Sequence, residues 1–326
     1  SSYGTWDYNT LAAIWGLKRG YKEDADHNLI HWVNTDEGLE MAKFINRFHR
    51  EDLLDPDSFI NTFDDWKAKF SSERMMGHIG AWWVTWNAGH EVWQKANPDW
   101  QDDMRFVQVK VKAPQAEQAY FSPKNTTGSY RTIITDKCTQ PENVLKWWNF
   151  EISDMGTRLI GWGVPNLEES VWDYKDGEWS WRENAAQGII DATWDYEISD
   201  KLGQGVMWMV AGQGLMEDGK STVWFDQNFN DRAKWKKVMH ENLQGTIYDF
   251  SAFLSINLPP DDPITVTNQQ IKDILDTGWA EVVTASTEQE CESKFLELRD
   301  KLNKAGLGDL EKYYTEHYKQ NLENWK

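Results

Sequence analysis

The chain has 326 residues, 40% of them hydrophobic, enough for one large domain or two ordinary ones with a buried core. Its 53 acidic and 34 basic side chains leave a formal charge of -19, a field that repels polyanions and argues against nucleic acid as a partner. No run reaches the roughly 20 apolar residues of a membrane-spanning helix, and Ser1-Ser2-Tyr3-Gly4 has neither the basic nor the apolar region of a signal peptide.

Thr35 followed by Asp36 and Glu37 reads as a helix start, and Met41, Phe44, Ile45 and Phe48 then recur at helical spacing, so an amphipathic helix is expected over about 35–51. Asp55-Pro56 breaks it, and Phe63, Trp66 and Phe70 repeat the period in a shorter segment. Met75 to Gly80 reads as a short apolar strand, and residues 104–112 alternate apolar and polar as a half-buried strand does. A stretch punctuated by Pro and Gly follows from Pro114 to Gly128, then a short strand from Tyr130 to Thr135. Thr139-Gln140-Pro141-Glu142 has the spacing of a capping box ahead of a helix carrying Val144, Leu145, Trp148 and Ile152.

Asp176-Gly177, flanked by Trp172, Tyr174, Trp179 and Trp181, is a hairpin-turn signal, and Asp218-Gly219 is a second candidate. From about residue 268 the pattern is helical. Thr287 caps a segment with Cys291, Phe295, Leu298 and Leu302 on one face, Gly306 and Gly308 stop it, and a last helix carries Leu310, Tyr313, Tyr314 and Leu322. Strands alternating with helices argue for an α/β protein.

Catalytic signatures are absent: there is no H-E-x-x-H, G-x-S-x-G, Walker loop or G-x-G-x-x-G. Asp24-x-Asp26-x-Asn28 has the odd-position spacing of a calcium loop but lacks its central Gly and distal Glu, so a polar hairpin turn is the simpler reading. Cys138 and Cys291 lack the C-x-x-C spacing of a zinc or redox pair, and sequence alone does not bring them within bonding reach. The informative excess is aromatic, with 21 Trp, 13 Phe and 11 Tyr. Most of these serve packing, but flat amphipathic faces in such number also match the apolar faces of sugar rings.

The order of segments resembles the family 1 extracellular solute-binding proteins, and most of all the lipoprotein sugar binders of Gram-positive bacteria. The likeness is carried by Tyr3-Gly4-Thr5-Trp6 with a Gly-rich turn, the strand-turn-strand around Glu23 to Val33, and Leu53-Leu54-Asp55-Pro56. It continues through Gly80-Ala81-Trp82, Tyr130 to Ile134 with Pro141-Glu142-Asn143, Gly161-Trp162-Gly163-Val164, and Leu302 to Gly308. It begins part-way into the family pattern, since the lipid-attachment cysteine and the first part of the N-terminal lobe have no counterpart before Ser1.

The resemblance implies a type II periplasmic-binding-protein-like α/β fold, with a mixed sheet flanked by helices and two lobes, one of them incomplete. In that mapping residues 1–112 are the first segment of the C-terminal lobe, 113–156 cross to the N-terminal lobe, and 157–326 return to the C-terminal lobe. It further implies an oligosaccharide ligand, an ABC-importer permease as partner, anchoring at the cell surface, a monomer, and neither cofactor nor chemistry on the ligand. The family's sugar-stacking Trp falls on Trp82, the opening segment places Tyr3 and Trp6 beside the cleft, and Trp162 falls in a loop resembling a cleft-lining one. Aromatic clustering adds Trp83, Trp86 and Trp224 as ligand-binding candidates. Two other readings stay open: a glycoside hydrolase or lyase, whose two carboxylates leave no short signature, and a cell-surface lectin or carbohydrate-binding module.

Overall fold

The computed structural model describes residues 7–72, 74–80, 109–124, 132–183, 241–254 and 256–324. The expected turn at Asp218-Gly219, residues 104–108 of the alternating stretch and Tyr130-Arg131 lie outside the described residues. The fold is mixed α/β and rich in helix, and the chain divides into two compact units. Unit 1 comprises Ser1–Ser129 and Val238–Lys326, and unit 2 comprises Tyr130–Lys237.

Unit 1 opens with α1 (Tyr8–Ala13), capped by the Asp7 carboxylate, which accepts from the Thr10 amide at 3.0 Å. The antiparallel pair β1 (Tyr21–Glu23) and β2 (Leu29–His31) follows, then a single 3-10 turn over Trp32–Asn34. Next comes α2 (Asp36–Arg50), in close agreement with the apolar periodicity, and the Thr35 hydroxyl caps it by accepting from the Gly38 amide at 3.0 Å. Helix α3 (Phe63–Ser71) carries a reciprocal capping box between Thr62 and Asp65.

Three stretches read as strands are irregular where described: Met75 to Gly80, residues 109–112 and Thr132 to Thr135. None finds a neighbouring strand to complete its backbone hydrogen bonds among the described residues, so an apolar or alternating pattern alone does not make them strands. His78 instead packs its ring against Trp66 at 4.9 Å. Conversely, β3 (Ser122–Lys124) lies inside the stretch taken as loop and pairs in parallel with β6 (Ile247–Asp249), after which the Phe250 amide donates to the Lys124 carbonyl at 2.9 Å. Every sheet among the described residues has two strands, one pair parallel and two antiparallel.

Unit 1 closes with the short α6 (Ser251–Leu254) and three long helices, α7 (Pro263–Val283), α8 (Glu288–Lys304) and α9 (Leu307–Asn324). Helix α7 begins earlier than about 268, because Pro263 sits in the first turn, where its missing N–H costs nothing, and Asp262 accepts from the Ile264 amide at 2.9 Å. Gly306, with φ of 102°, separates α8 from α9, whereas Gly308 lies within α9.

The core of unit 1 forms where α2, α7 and α8 meet the 3-10 turn, around Trp32, Met41, Trp279, Phe295 and Leu302. Asn46, fully buried, completes the end of α7: its amide donates to the carbonyls of Val283 at 3.0 Å and Ala285 at 2.7 Å, while its carbonyl accepts from Arg50 Nε at 2.8 Å. Asn46→Leu should lower stability by about 2–4 kcal/mol, because two buried carbonyls lose their donor together. Urea unfolding followed by circular dichroism checks this, and a loss under about 1 kcal/mol would show that other donors replace the amide.

At the end of β2 the His31 amide donates to Glu311 at 2.7 Å and its ring Nδ1 accepts from the Val33 amide at 3.4 Å. Burial disfavours the imidazolium and lowers the His31 pKa from 6.5 to about 4. The unfolded chain therefore takes up this proton first as pH falls. The neutral ring's contribution is complete above about pH 6.5 and is lost toward about pH 4, amounting to roughly 1–3 kcal/mol. His31→Asn keeps an acceptor without the titration. The drop in melting temperature between about pH 7 and about pH 4.5 should be smaller in this variant, and an equal drop in both proteins would contradict the assignment.

Unit 2 contains α4 (Pro141–Glu151), α5 (Asp154–Trp162) and a hairpin of β4 (Trp172–Lys175) and β5 (Glu178–Trp181). The capping box expected at Thr139 is not formed: Gln140 is the N-cap and makes no side-chain capping bond, and Pro141 fixes the entry to the helix. Asp176 and Gly177, with φ of 55° and 89°, make the expected two-residue turn and place Trp172 opposite Trp181 and Tyr174 opposite Trp179. Both cysteines are free: Cys138 is half-buried, and Cys291 lies in the core of unit 1, where burial pushes its thiol up to about 11.

Candidate functional site

A constellation in unit 1 begins at the turn between α1 and β1. The amide of Lys18 donates to the Tyr21 carbonyl at 2.9 Å and the amide of Tyr21 to the Lys18 carbonyl at 3.0 Å, leaving only Arg19 and Gly20 between them. Both have positive φ, 50° and 79°, as the tightest right-twisted hairpin turn requires. Gly20 suits that geometry, and a Cβ there would lie 2.8 Å from Asn9 Oδ1. Arg19 does not suit it: a long side chain in the left-handed region costs about 1 kcal/mol.

Two cations and three rings converge around this turn. Lys18 Nζ lies 5.4 Å from the centre of the Tyr120 ring, and the Arg19 guanidinium 5.5 Å from the centre of Phe250. Tyr248 joins the two rings, 5.4 Å edge-on from Tyr120 and 6.4 Å from Phe250. Tyr120 is held by its amide donating to the Ala13 carbonyl at 3.2 Å, while Tyr248 and Phe250 sit on β6 and just beyond it. The site is thus built from three chain segments fixed by backbone pairing. Burial pushes the Tyr248 phenol up, the positive charge of Arg19 partly offsets this, and Tyr248 stays a neutral hydrogen-bonding group at neutral pH.

The cations differ in their partners. Lys18 pairs with Glu23 at 2.9 Å, whereas Arg19 is exposed and, among the described residues, has no carboxylate partner. Among the described residues the patch therefore combines an exposed guanidinium without a carboxylate partner with three rings, of which Tyr248 is buried.

A second aromatic cluster lies in unit 2. Trp162 and Trp172 are buried at 2% and 0% exposure, and Trp179 and Trp181 pack over Trp162 with ring centres at 5.2 and 4.2 Å. The Trp172 indole donates to the Gly163 carbonyl at 2.9 Å, and Arg158 lies 4.8 Å over Trp179 and 5.7 Å over Trp162. Trp162 is the last residue of α5 rather than a loop residue, and its ring is covered by protein. Tyr3, Trp6, Trp82, Trp83, Trp86 and Trp224 lie outside the described residues.

The polar-turn reading of Asp24 to Asn28 holds. One Asp24 oxygen accepts from the amides of Asp26 at 2.9 Å and Asn28 at 2.8 Å, and the other accepts from the Asn28 side chain at 2.8 Å, so the carboxylate is engaged within the turn. Among the described residues no group of three or more His, Cys, Asp or Glu is placed to hold a metal ion. Nor is any described helix long and apolar enough to cross a membrane.

Sequence reasoning missed Lys18, Arg19, Tyr120, Tyr248 and Phe250 because it followed tryptophan. The local signal was an Arg-Gly pair between residues that bridge to each other, while the rings come from segments far apart in the chain.

No protein-family model matches this chain. No curated protein matches it either. Among solved structures, it is similar to that of the alginate-binding protein AlgQ2 without calcium ion, at a TM-score of 0.52 and 13% sequence identity. The match covers 96% of this chain and 62% of AlgQ2, so the likeness is one of fold, shared by nearly all of this chain with somewhat under two thirds of a longer protein.

Proposed function

We propose that this protein binds a carbohydrate and holds it without transforming it. What carries the reading is the fold-level likeness, over 96% of the chain, to a protein that binds alginate. The 21 Trp, 13 Phe and 11 Tyr of the sequence supply flat amphipathic faces of the kind that match a sugar ring. Covering ~60 Å² of a ring face on one platform is worth ~1.5 kcal/mol. Two or three such contacts with hydrogen bonds then reach the roughly 8 kcal/mol of a micromolar complex.

The finer proposal follows the resemblance in the sequence. The chain is the ligand-holding part of a family 1 solute-binding protein, active outside the cytoplasm, lipid-anchored in its full-length form and delivering an oligosaccharide to an ABC-type permease. Tyr3, Trp6, Trp82, Trp83, Trp86 and Trp224 are proposed as further ligand contacts. Calorimetric titration against a panel of neutral and acidic oligosaccharides tests the reading. Saturable binding to at least one is expected, and a panel with no binder would overturn it.

A further inference from the structure

We infer that Asp55, Asp57 and Asn61 form a cation cradle that the protein fills with its own Lys69 ammonium, and that the cradle takes a divalent cation of the calcium type once that ammonium is removed. The inference is independent of the carbohydrate reading. Lys69 Nζ lies 2.9 and 3.1 Å from the two Asp55 carboxylate oxygens, 2.7 Å from Asp57 Oδ2 and 2.9 Å from Asn61 Oδ1. Four oxygens from three residues of one turn thus surround a single positive centre, and one carboxylate grips it with both oxygens. An ammonium has only three protons to donate, so the turn presents more acceptors than the lysine can use singly. A bidentate carboxylate, a second carboxylate and an amide carbonyl are the ligand types of a hard, oxygen-seeking cation.

The cradle is held from both sides. Within the turn, the Asn61 side-chain amide donates to Asp55 at 2.8 Å and the Asp57 backbone amide donates to the same carboxylate at 3.2 Å. Thr62, next in the chain, opens α3 with its capping box, so the helix starts where the cradle ends. Trp66, one turn before Lys69, and Phe70, beside it, are buried and fix the rotation of α3. The Lys69 side chain is 13% exposed and that of Asp55 14%, so the two charges depend on each other more than on water. Burial raises the Asp55 pKa, but the hydrogen bonds from Lys69 and Asn61 outweigh it and hold the carboxyl below the usual range. Without the ammonium, two carboxylates that converge on one point repel each other, and a divalent cation supplies the charge they lack. Calcium–oxygen distances of about 2.3–2.6 Å need a modest contraction of the cradle, whereas magnesium demands about 2.0–2.1 Å in near-ideal octahedral geometry.

The experiment compares the parent with Lys69→Met, which keeps the length of the side chain without its charge, and with the double variant Lys69→Met/Asp57→Asn. Each is melted in EDTA, in about 10 mM calcium chloride, in the same concentration of magnesium chloride, and in sodium chloride of matched ionic strength. Lys69→Met should melt several degrees below the parent in EDTA and recover at least half of that loss in calcium, but little of it in magnesium or sodium chloride. Half-recovery is expected at roughly millimolar calcium, since the cradle supplies fewer ligands than a dedicated calcium loop. The calcium shift of Lys69→Met should exceed any shift of the parent, and the excess should vanish in the double variant. A Lys69→Met protein that calcium does not stabilise, whether it is folded or unfolded in EDTA, would overturn the inference. Equal recovery in sodium chloride or magnesium would reduce the effect to screening and overturn it as well. A calcium shift shared in full by the parent would show that the ammonium does not close the site, and an excess surviving Asp57→Asn would place the cation elsewhere; either result contradicts the assignment.

Discussion

Replacing Trp32 with Ala is expected to remove about 3–5 kcal/mol of stability from unit 1. Its ring is 1% exposed and fills the junction of α1, α7 and α8: Tyr8 stacks at 5.5 Å, Trp279 meets it edge-on at 5.5 Å, and Phe295 lies at 6.2 Å. Three large rings cannot all move in to fill the void, so the cost includes both the lost burial and the cavity. Trp32→Phe keeps most of the volume and should recover more than half of the loss. Urea unfolding of the two variants checks the claim, and a loss under about 1 kcal/mol for Trp32→Ala would mean that this junction is not the centre of the core.

Trp172→Ala should have a comparable effect, about 3–5 kcal/mol, confined to unit 2. Trp172 is fully buried, its indole is satisfied by the Gly163 carbonyl at 2.9 Å, and it meets the Trp162 ring edge-on at 5.7 Å. Without it the described core of unit 2 retains Trp162 and Val171, and the hairpin loses the anchor opposite Trp181. Hydrogen exchange should then quicken in α5, β4 and β5 while α7 and α8 keep their protection. Equal loss of protection in both groups would show that the two units unfold as one.

The helices were the legible part of this fold, because each long helix writes its buried face at a period the sequence displays. Met41, Ile45 and Asn46 in α2, and Cys291, Phe295, Leu298 and Leu302 in α8, are buried on one side. The Asp176-Gly177 turn was legible because positive φ at both positions restricts the residue types. The pairing of β3 with β6 was not, since Ser122-Pro123-Lys124 has no strand pattern and meets its partner Ile247-Tyr248-Asp249 only through a long-range parallel contact. The apolar stretch at Met75 to Gly80 and the described end, 109–112, of the alternating stretch have a strand pattern without being strands for the complementary reason: a strand is defined by its neighbour.

The same distinction separates the candidate site from the residues first nominated. Trp162 stood out by type and by its Gly-flanked context, yet its ring packs into a core built with Trp172, Trp179 and Trp181. Arg19 stood out by neither. Its setting comes from a backbone angle and from two tyrosines contributed by segments before and after the whole of unit 2.

Binding without conversion is tested by saturating the protein with the tightest oligosaccharide found by titration, incubating, and recovering the ligand for mass spectrometry and reducing-end analysis. A saturable complex of about one ligand per chain at roughly micromolar affinity is expected, with the ligand returned intact however long the incubation. New reducing ends or unsaturated fragments that accumulate with time and with enzyme-like turnover would contradict it and make the protein a glycoside hydrolase or lyase.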